Sequence, residues 1–483
     1  MYSFQVTSAL MAVANSVLYF SDAAIAKAVF AHYMVGTTTE PHVHTDIDDA
    51  AAAGLDGFAL NIGDPRASYV TDTISYMFDY TASNHPDFHL LFSLDLAAAT
   101  GAGASLSDYN ALLTQYTAHA AYARGPAPDA YPFVSTYSDG GLTNETWDEW
   151  RGSASAFAAG AGGGVYFVPD FDGTQGYYDG ADGWWAYWGG VVDGLFSWEA
   201  AWPERAGVGG AFPGDTGPDE VVAAAAEARG KSYMVALSPL QYKNAYQTNL
   251  YRPGELNLPE RMKNVLEMST APEYAEVITW NDGPESHYIG NLWPEQNTDS
   301  DPARYATAAL APHTGWQPLI GSFAAAFRAN ASSAAALRPF GNETVTGALW
   351  YKTILQSTTC PREGEGGVYA KPDGWDKGED VLSWAVIVGD DADGWSANLI
   401  SDGEQIASVG LVAGLNYGKA EGLKAGFQRL EVVDGDGNAV RVAAGGRCVS
   451  TGCPDCIYNM NPQVVGFSDN EDDGECPDPE CSQ

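Results

Sequence analysis

The sequence predicts an α/β fold: a (β/α)8 TIM-type barrel, then a smaller β-sandwich-like domain, then a Cys-rich tail. Three observations carry this. Eight short apolar runs recur from Val29 onward. Segments long enough for a crossover helix lie between them. From about residue 338 the texture changes to short segments broken by Gly and Asp turns. Eight β-then-α units over about 260 residues match the size of such a barrel.

In order, the runs are AVFAHYMVG, DGFALNIG, HLLFSLDL, YPFVSTYSDG, GVYFVPDF, DGLFSWEAAW, SYMVALSP and AEVITWNDG. Each is too short for a globular helix. Several are almost continuously apolar, as parallel strands buried on both faces should be. The segments DIDDAAAAGL, SLSDYNALLTQYTAHAAYA, DEVVAAAAEARG and PERMKNVLEM carry helix formers behind Asp, Ser or Pro starts. After the last run, PLIGSFAAAFRANASSA reads as a closing helix. A dinucleotide-binding sheet would need a glycine fingerprint after its first strand, and Met34-Val35-Gly36 followed by Thr37-Thr38-Thr39 is not one. Further on, TGALWYKTI, DVLSWAVIVG, WSANLISDG, IASVGLVAGLNYG and FQRLEVVDGDGNAVRVAAGG read as sandwich strands.

The expected plan is a signal peptide over 1–26, a catalytic barrel over 27–337, an accessory β-sandwich over 338–447 and an acidic Cys-rich tail over 448–483. The first stretch is apolar and ends in Ala24-Ile25-Ala26, an A-x-A cleavage pattern. No later apolar run has the length to span a bilayer, and no hydrophobic tail suggests a lipid anchor. Sequons at Asn144, Asn330 and Asn342 agree with export. The expected product is a secreted, extracellular or wall-associated monomer. All six Cys lie from Cys360 onward and allow fifteen pairings. Cys448, Cys453 and Cys456 have spacing for a metal knuckle or a redox pair. The tail is acidic and holds no His, so structural disulfides fit better.

The 62 acidic residues outnumber the 23 basic ones, for a net charge of −39. Such a surface repels nucleic acid and anionic membranes, but not a neutral polysaccharide. With 14 Trp, 26 Tyr and 18 Phe, the chain has ample material for a core and is not disordered.

In a barrel the site sits at the C-terminal strand ends. There the runs carry His32 and Tyr33, Asn61, Asp95, Ser135 and Tyr137, Asp170, Trp198 and Glu199, Ser238, then Trp280, Asn281, Asp282 and Glu285. Any single Asp or Asn there can be a helix cap. Eight polar ends converging on one mouth favour substrate contacts, here His32, Asn61, Asp95, Asp170, Trp198, Glu199, Trp280, Asn281, His287 and Tyr288. Trp184, Trp185, Trp188, Trp198 and Trp202 suit sugar-ring stacking or loop packing equally. His42 and His44 resemble a metal pair without a third ligand. No phosphate loop or G-x-S-x-G is present, so no metal or cofactor is expected. Asp282 and Glu285, in a groove of Trp, Asn, His and Tyr, suggest glycoside hydrolysis by two carboxyls. Three residues apart, their Cα atoms lie at most about 10 Å from each other, which leaves both mechanistic spacings open.

The stretches VFAHYMVG, DGFALNIG, FSLDL, PFVSTYSDG, VYFVPDFD, DGLFSWEAAWP, YMVALSP and TWNDGPESHYIG, over roughly residues 29 to 290, resemble glycoside hydrolase family 71, the fungal α-1,3-glucanases or mutanases. The resemblance implies a (β/α)8 catalytic domain, an α-1,3-glucan substrate and inversion without metal or cofactor. It also places the catalytic carboxylates in W-N-D-x-x-E-S-H-Y, hence Asp282 and Glu285. The family's usual Tyr-Gly spacer is Gly283-Pro284 here, and proline fixes φ in the turn between the carboxyls. Which carboxyl is the acid stays open. Two other readings remain: a hydrolase of another α-glucan, and a non-catalytic wall-binding protein.

Overall fold

The computed structural model describes residues 27–157, 164–205 and 207–468, with Cys476 and Cys481. The signal peptide expected over 1–26 lies outside the described residues. Each of the eight apolar runs supplies one barrel strand. They are β1 (Ala28–Met34), β2 (Gly57–Ile62), β3 (His89–Asp95), β4 (Phe133–Tyr137), β5 (Tyr166–Phe167), β6 (Gly194–Ser197), β7 (Ser232–Leu237) and, after an inserted hairpin, β10 (Tyr274–Val277). All neighbours pair in parallel, in the order β5-β4-β3-β2-β1-β10-β7-β6. A parallel bridge between Asp170 and Phe196 joins the two ends of this order and closes the barrel.

The two-residue period of a strand explains why the runs look apolar throughout. On β1, Ala28 and Phe30 join the interior cluster, while Val29, Ala31 and Tyr33 pack outward against the helices. Phe30, Phe133 and Tyr274 fill the lower interior, with ring centres 5.0 to 6.4 Å apart. Two residues further along β1 and β10 stand His32 and Glu276, the next layer toward the mouth. The closing helix is Gln317–Arg328. The segment expected as a helix over 105–123 is a 3₁₀ turn, Leu106–Tyr109, and a helix that stops at Tyr116. The chain leaves the helix because Ala121 to Ala123 pairs beside β3: Leu90 N donates to Ala121 O, and Ala123 N to Leu90 O.

The inserted hairpin, β8 (Gln241–Ala245) and β9 (Thr248–Arg252), was not expected from sequence. Its two turn residues, Tyr246 and Gln247, both sit in the left-handed region at φ 54° and 67°. That geometry normally selects Asn or Gly, so the usual turn signal is missing.

Beyond the barrel come β11 (Val345–Tyr351), β12 (Val381–Val388), β13 (Ser396–Ser401), β14 (Glu404–Gly410), β15 (Gly414–Glu421), β16 (Gln428–Val433), β17 (Ala439–Ala443) and β18 (Gln463–Gly466). They form two four-stranded antiparallel sheets, β15-β12-β11-β18 and β14-β13-β16-β17. Leu349 and Val386 of the first share a core with Leu399 and Leu430 of the second. β18 falls within the stretch read as a tail, yet it pairs with β11 along Ala348 to Tyr351. The six cysteines form disulfides Cys360–Cys453, Cys448–Cys476 and Cys456–Cys481. The first sheet packs against the barrel, with Trp316 and Trp350 ring centres 6.0 Å apart.

Candidate active site

The loop after β10 turns back on itself. Thr279 N donates to His287 O, Ile289 N to Thr279 O, and Gly290 N to Trp280 O, at 2.7 to 3.0 Å. Trp280 N also donates to His32 O at 2.7 Å, which anchors the loop to β1. At the tip, Asp282 N donates to Thr279 Oγ1 and Glu285 N to Asp282 Oδ1, each at 2.9 Å. The Gly283-Pro284 spacer therefore makes a tight turn that directs both carboxyls the same way. One side-chain ligand atom each from Asp282, Glu285 and His287 lies within 4.8 Å of the other two.

Glu285 is heavily solvated by protein. Lys243 Nζ donates to its Oε1 at 2.8 Å. Gln241 Nε2 donates to Oε2, and His287 Nε2 lies 3.3 Å from that same oxygen. Burial pulls this carboxyl up, but hydrogen bonding and Coulombic attraction from His287 and Lys243 outweigh it and hold the group well below the usual carboxylate range. Asp282 moves the other way. Burial raises it, the Glu285 charge adds to the rise, and His287 offsets part of it. Two neighbouring carboxyls are thus displaced in opposite directions. Among the described residues, this trio is the one group that could hold a metal ion. The Lys243 ammonium already supplies a positive charge there, so a cation would have to displace it.

A cavity of about 480 Å³ opens alongside, lined by Tyr137, Asp170, Asp172, Tyr178, Trp198, Glu199 and Arg205 among others. Trp198 links it to the loop: its ring centre is 6.2 Å from His287, 5.1 Å from Tyr137 and 4.7 Å from His32. Beneath Trp198, His32 Nδ1 lies 2.6 Å from Glu276 Oε1, both side chains buried. Asp172 N donates to Asp170 Oδ1 at 3.2 Å, and Asp172 Oδ2 accepts from Tyr178 OH and Glu199 N at 2.7 Å each. Burial, then the charge of Asp172, pushes Asp170 well above its ordinary range. Glu199 is paired with Arg205 and with Arg252, the latter at 3.2 Å.

The sequence-derived candidates divide. Asp282, Glu285, His287, Trp198, Asp170 and Glu199 come together at the mouth, with His32 just below. Asp95 caps the helix Leu96–Gly101 by accepting from Ala98 N at 2.9 Å, and its carboxyl also meets the Asn61 side chain. Asn281 ties the loop to β1 through Met34 N at 2.8 Å and Met34 O at 3.2 Å. Trp280 and Tyr288 are 0% and 1% exposed, so neither offers a face to a sugar. Trp280 packs outward on Phe58 at 5.3 Å. Tyr288 stacks on His313 at 4.0 Å and donates to Ala311 O. Of the tryptophan cluster, Trp184, Trp185 and Trp188 pack inside their own helix interface, Asp182–Trp188, while Trp202 reaches His287 at 5.5 Å. His42 and His44 face different partners: His42 stacks on Trp293 and His44 on Tyr80, each at 3.8 Å.

Sequence reasoning missed Gln241, Lys243 and Arg252, all on the unforeseen hairpin, and Arg205. It also passed over Asp172, although its spacing from Asp170 in VPDFD put a second carboxyl on the same strand end.

The profile of glycosyl hydrolase family 71 matches residues 25–475. The chain is 28% identical over 366 residues to a glucan endo-1,3-alpha-glucosidase of Schizosaccharomyces pombe, covering 74% of this chain and 76% of that one. It is 28% identical over 374 residues to a mutanase of Penicillium rubens, covering 75% and 72%. It is 26% identical over 270 residues to an ascus wall endo-1,3-alpha-glucanase of Schizosaccharomyces pombe, covering 55% and 58%.

Proposed function

Because the chain belongs to glycosyl hydrolase family 71 and is therefore a glycoside hydrolase, we propose that it cleaves α-1,3-glucan, with Asp282 as general acid and Glu285 as general base. The observation that carries the assignment is the opposite displacement of the two carboxyls. A carboxyl raised by burial holds its proton more firmly than a free one, which suits the donor to the glycosidic oxygen. A carboxylate held ionised by Lys243 and His287 can take a proton from attacking water. The names of the relatives supply the linkage.

Two features bear on stereochemistry. The family resemblance implies inversion. Both Glu285 oxygens carry hydrogen bonds, which suits holding a water better than attacking carbon. Against this, the ligand atoms of the pair lie within 4.8 Å, nearer the ~5–5.5 Å of a retaining pair than the ~6.5–9.5 Å of an inverting one. We take inversion as the first reading and retention, with Glu285 as nucleophile, as the second.

The site of action is extracellular wall glucan. Three disulfides suit an oxidising compartment. No helix among the described residues is long and apolar enough to cross a membrane. The test is reducing-sugar release from insoluble α-1,3-glucan, with α-1,4-glucan and β-1,3-glucan as controls. Release from the α-1,3 polymer alone is expected. Release from α-1,4-glucan instead would move the substrate, and silence on all three would remove the glucanase reading.

A further inference from the structure

The larger cavity reaches Arg205, and Arg205 also lines a second one of about 300 Å³. The other walls of that second cavity include Trp202, Phe212 and Tyr251 from the barrel, and Asp373 and Lys377 from the region beyond it. His287 lies against one tryptophan from each cavity, Trp198 at 6.2 Å and Trp202 at 5.5 Å. Since His287 also touches Glu285, the carboxyl pair stands beside the junction of the two.

The second cavity is a built feature. Its outer wall is fixed to β9 by backbone pairing: Asp373 N donates to Asn249 O at 2.9 Å, and Tyr251 N to Asp373 O at 2.7 Å. Its chemistry suits a neutral sugar. Phe212 is half-buried and offers an aromatic face to the apolar face of a sugar ring, while Trp202 and Tyr251, 3% and 6% exposed, back the cavity. Most of its charges are engaged: Lys377 with Glu204 at 2.9 Å, and Arg205 and Arg252 both with Glu199, which stands outside the lining. Charges of both signs offer donors and acceptors to hydroxyls. A polymer cut within its length must also be held on both sides of the cut, which needs a second binding region past the catalytic pair.

We propose that this cavity is a further sugar-binding subsite, which takes the continuation of the glucan chain past Glu285. The segment 373–377, C-terminal to the barrel, is then part of the substrate site. This rests on the glucanase reading given above.

The experiment uses the full chain and its Phe212→Ala, Lys377→Ala and double variants, with soluble α-1,3-linked oligosaccharides of increasing length. Its readout is kcat/KM on the longest substrate divided by kcat/KM on the shortest one cleaved. That ratio falls roughly tenfold in the double variant, the equivalent of ~1.4 kcal/mol of lost binding. Both side chains are at least partly exposed, so the fold is retained. Phe212→Leu removes the aromatic face while keeping apolar contact, and it carries the test should Phe212→Ala unfold. An unchanged ratio in the folded variants overturns the subsite. A wild-type chain that cleaves no length overturns the glucanase reading, and the subsite with it.

Discussion

Lys243 Nζ sits 2.8 Å from Glu285 Oε1, a contact between a hairpin inserted after β7 and the loop that follows the last barrel strand. The hairpin thus supplies one of the attractions, after those of His287, that lower the carboxyl proposed as the base. Lys243→Met removes one of the attractions that hold Glu285 below the usual carboxylate range. The base works only when ionised, so activity is present above its pKa and lost as pH falls through it. Without Lys243 that pKa rises, and the acid limb of kcat/KM against pH moves to higher pH. An acid limb that stays in place would show that Glu285 does not titrate in catalysis.

Asp282→Asn and Glu285→Gln each lower turnover by ~10²–10⁴, the usual worth of a positioned acid or base. Both residues are on a loop, so the unfolding transition stays near that of the wild type. Near-normal turnover in either folded variant would displace the assignment, and Asp170 with Asp172 would be the pair to examine next.

Early-time proton NMR on a soluble α-1,3-oligosaccharide reads the stereochemistry. Inversion releases a β-anomer before mutarotation. An initial α-anomer would mean retention, and would make Glu285 a covalent nucleophile.

Arg261 and Asp219 form a two-pronged pair at 2.8 and 2.9 Å with both side chains fully buried, and Tyr233 OH adds a third bond to Asp219. Asp219→Ala strands the guanidinium in a dry interior. The expected loss is about 3–5 kcal/mol, measured by urea unfolding. The double change Asp219→Leu with Arg261→Met costs less than Asp219→Ala alone, because no charge is left unpaired.

The Cys360–Cys453 disulfide joins residues 93 apart in sequence. Replacing both by Ala lowers stability by roughly 2–5 kcal/mol, mostly by freeing the unfolded chain. Urea unfolding of the oxidised double variant against the oxidised wild type reads this loss, with Cys448–Cys476 and Cys456–Cys481 intact in both. A variant as stable as the oxidised wild type would mean that packing alone holds this region.

The barrel was legible because its strands are buried on both faces, and continuous apolar runs such as HLLFSLDL have few other uses. The proximity of Asp282 and Glu285 was legible because they are local, three residues apart on one loop. What surrounds them was not, because it depends on contacts across the fold. Lys243 and Gln241 reach Glu285 from a hairpin whose turn residues carry no sequence signal. Trp280 and Tyr288 show the reverse error. Their types suit a sugar platform, but the loop turns them outward onto Phe58 and His313. Likewise Asp95 has the right chemistry, and its carboxyl is engaged as a helix cap.

Asn461 Nδ2 donates to Tyr305 O at 2.9 Å and lies 3.2 Å from Tyr288 OH. Tyr305 OH in turn donates to Pro284 O at 2.7 Å, inside the turn that bears both carboxyls. Ribosomes deliver the chain from its N-terminus, and folding begins in that order. Every barrel strand has therefore emerged long before Asn461 does. Until then the turn at Pro284 lacks its outer prop. A translation product interrupted before this point would lack the outer prop of the turn that bears Asp282 and Glu285.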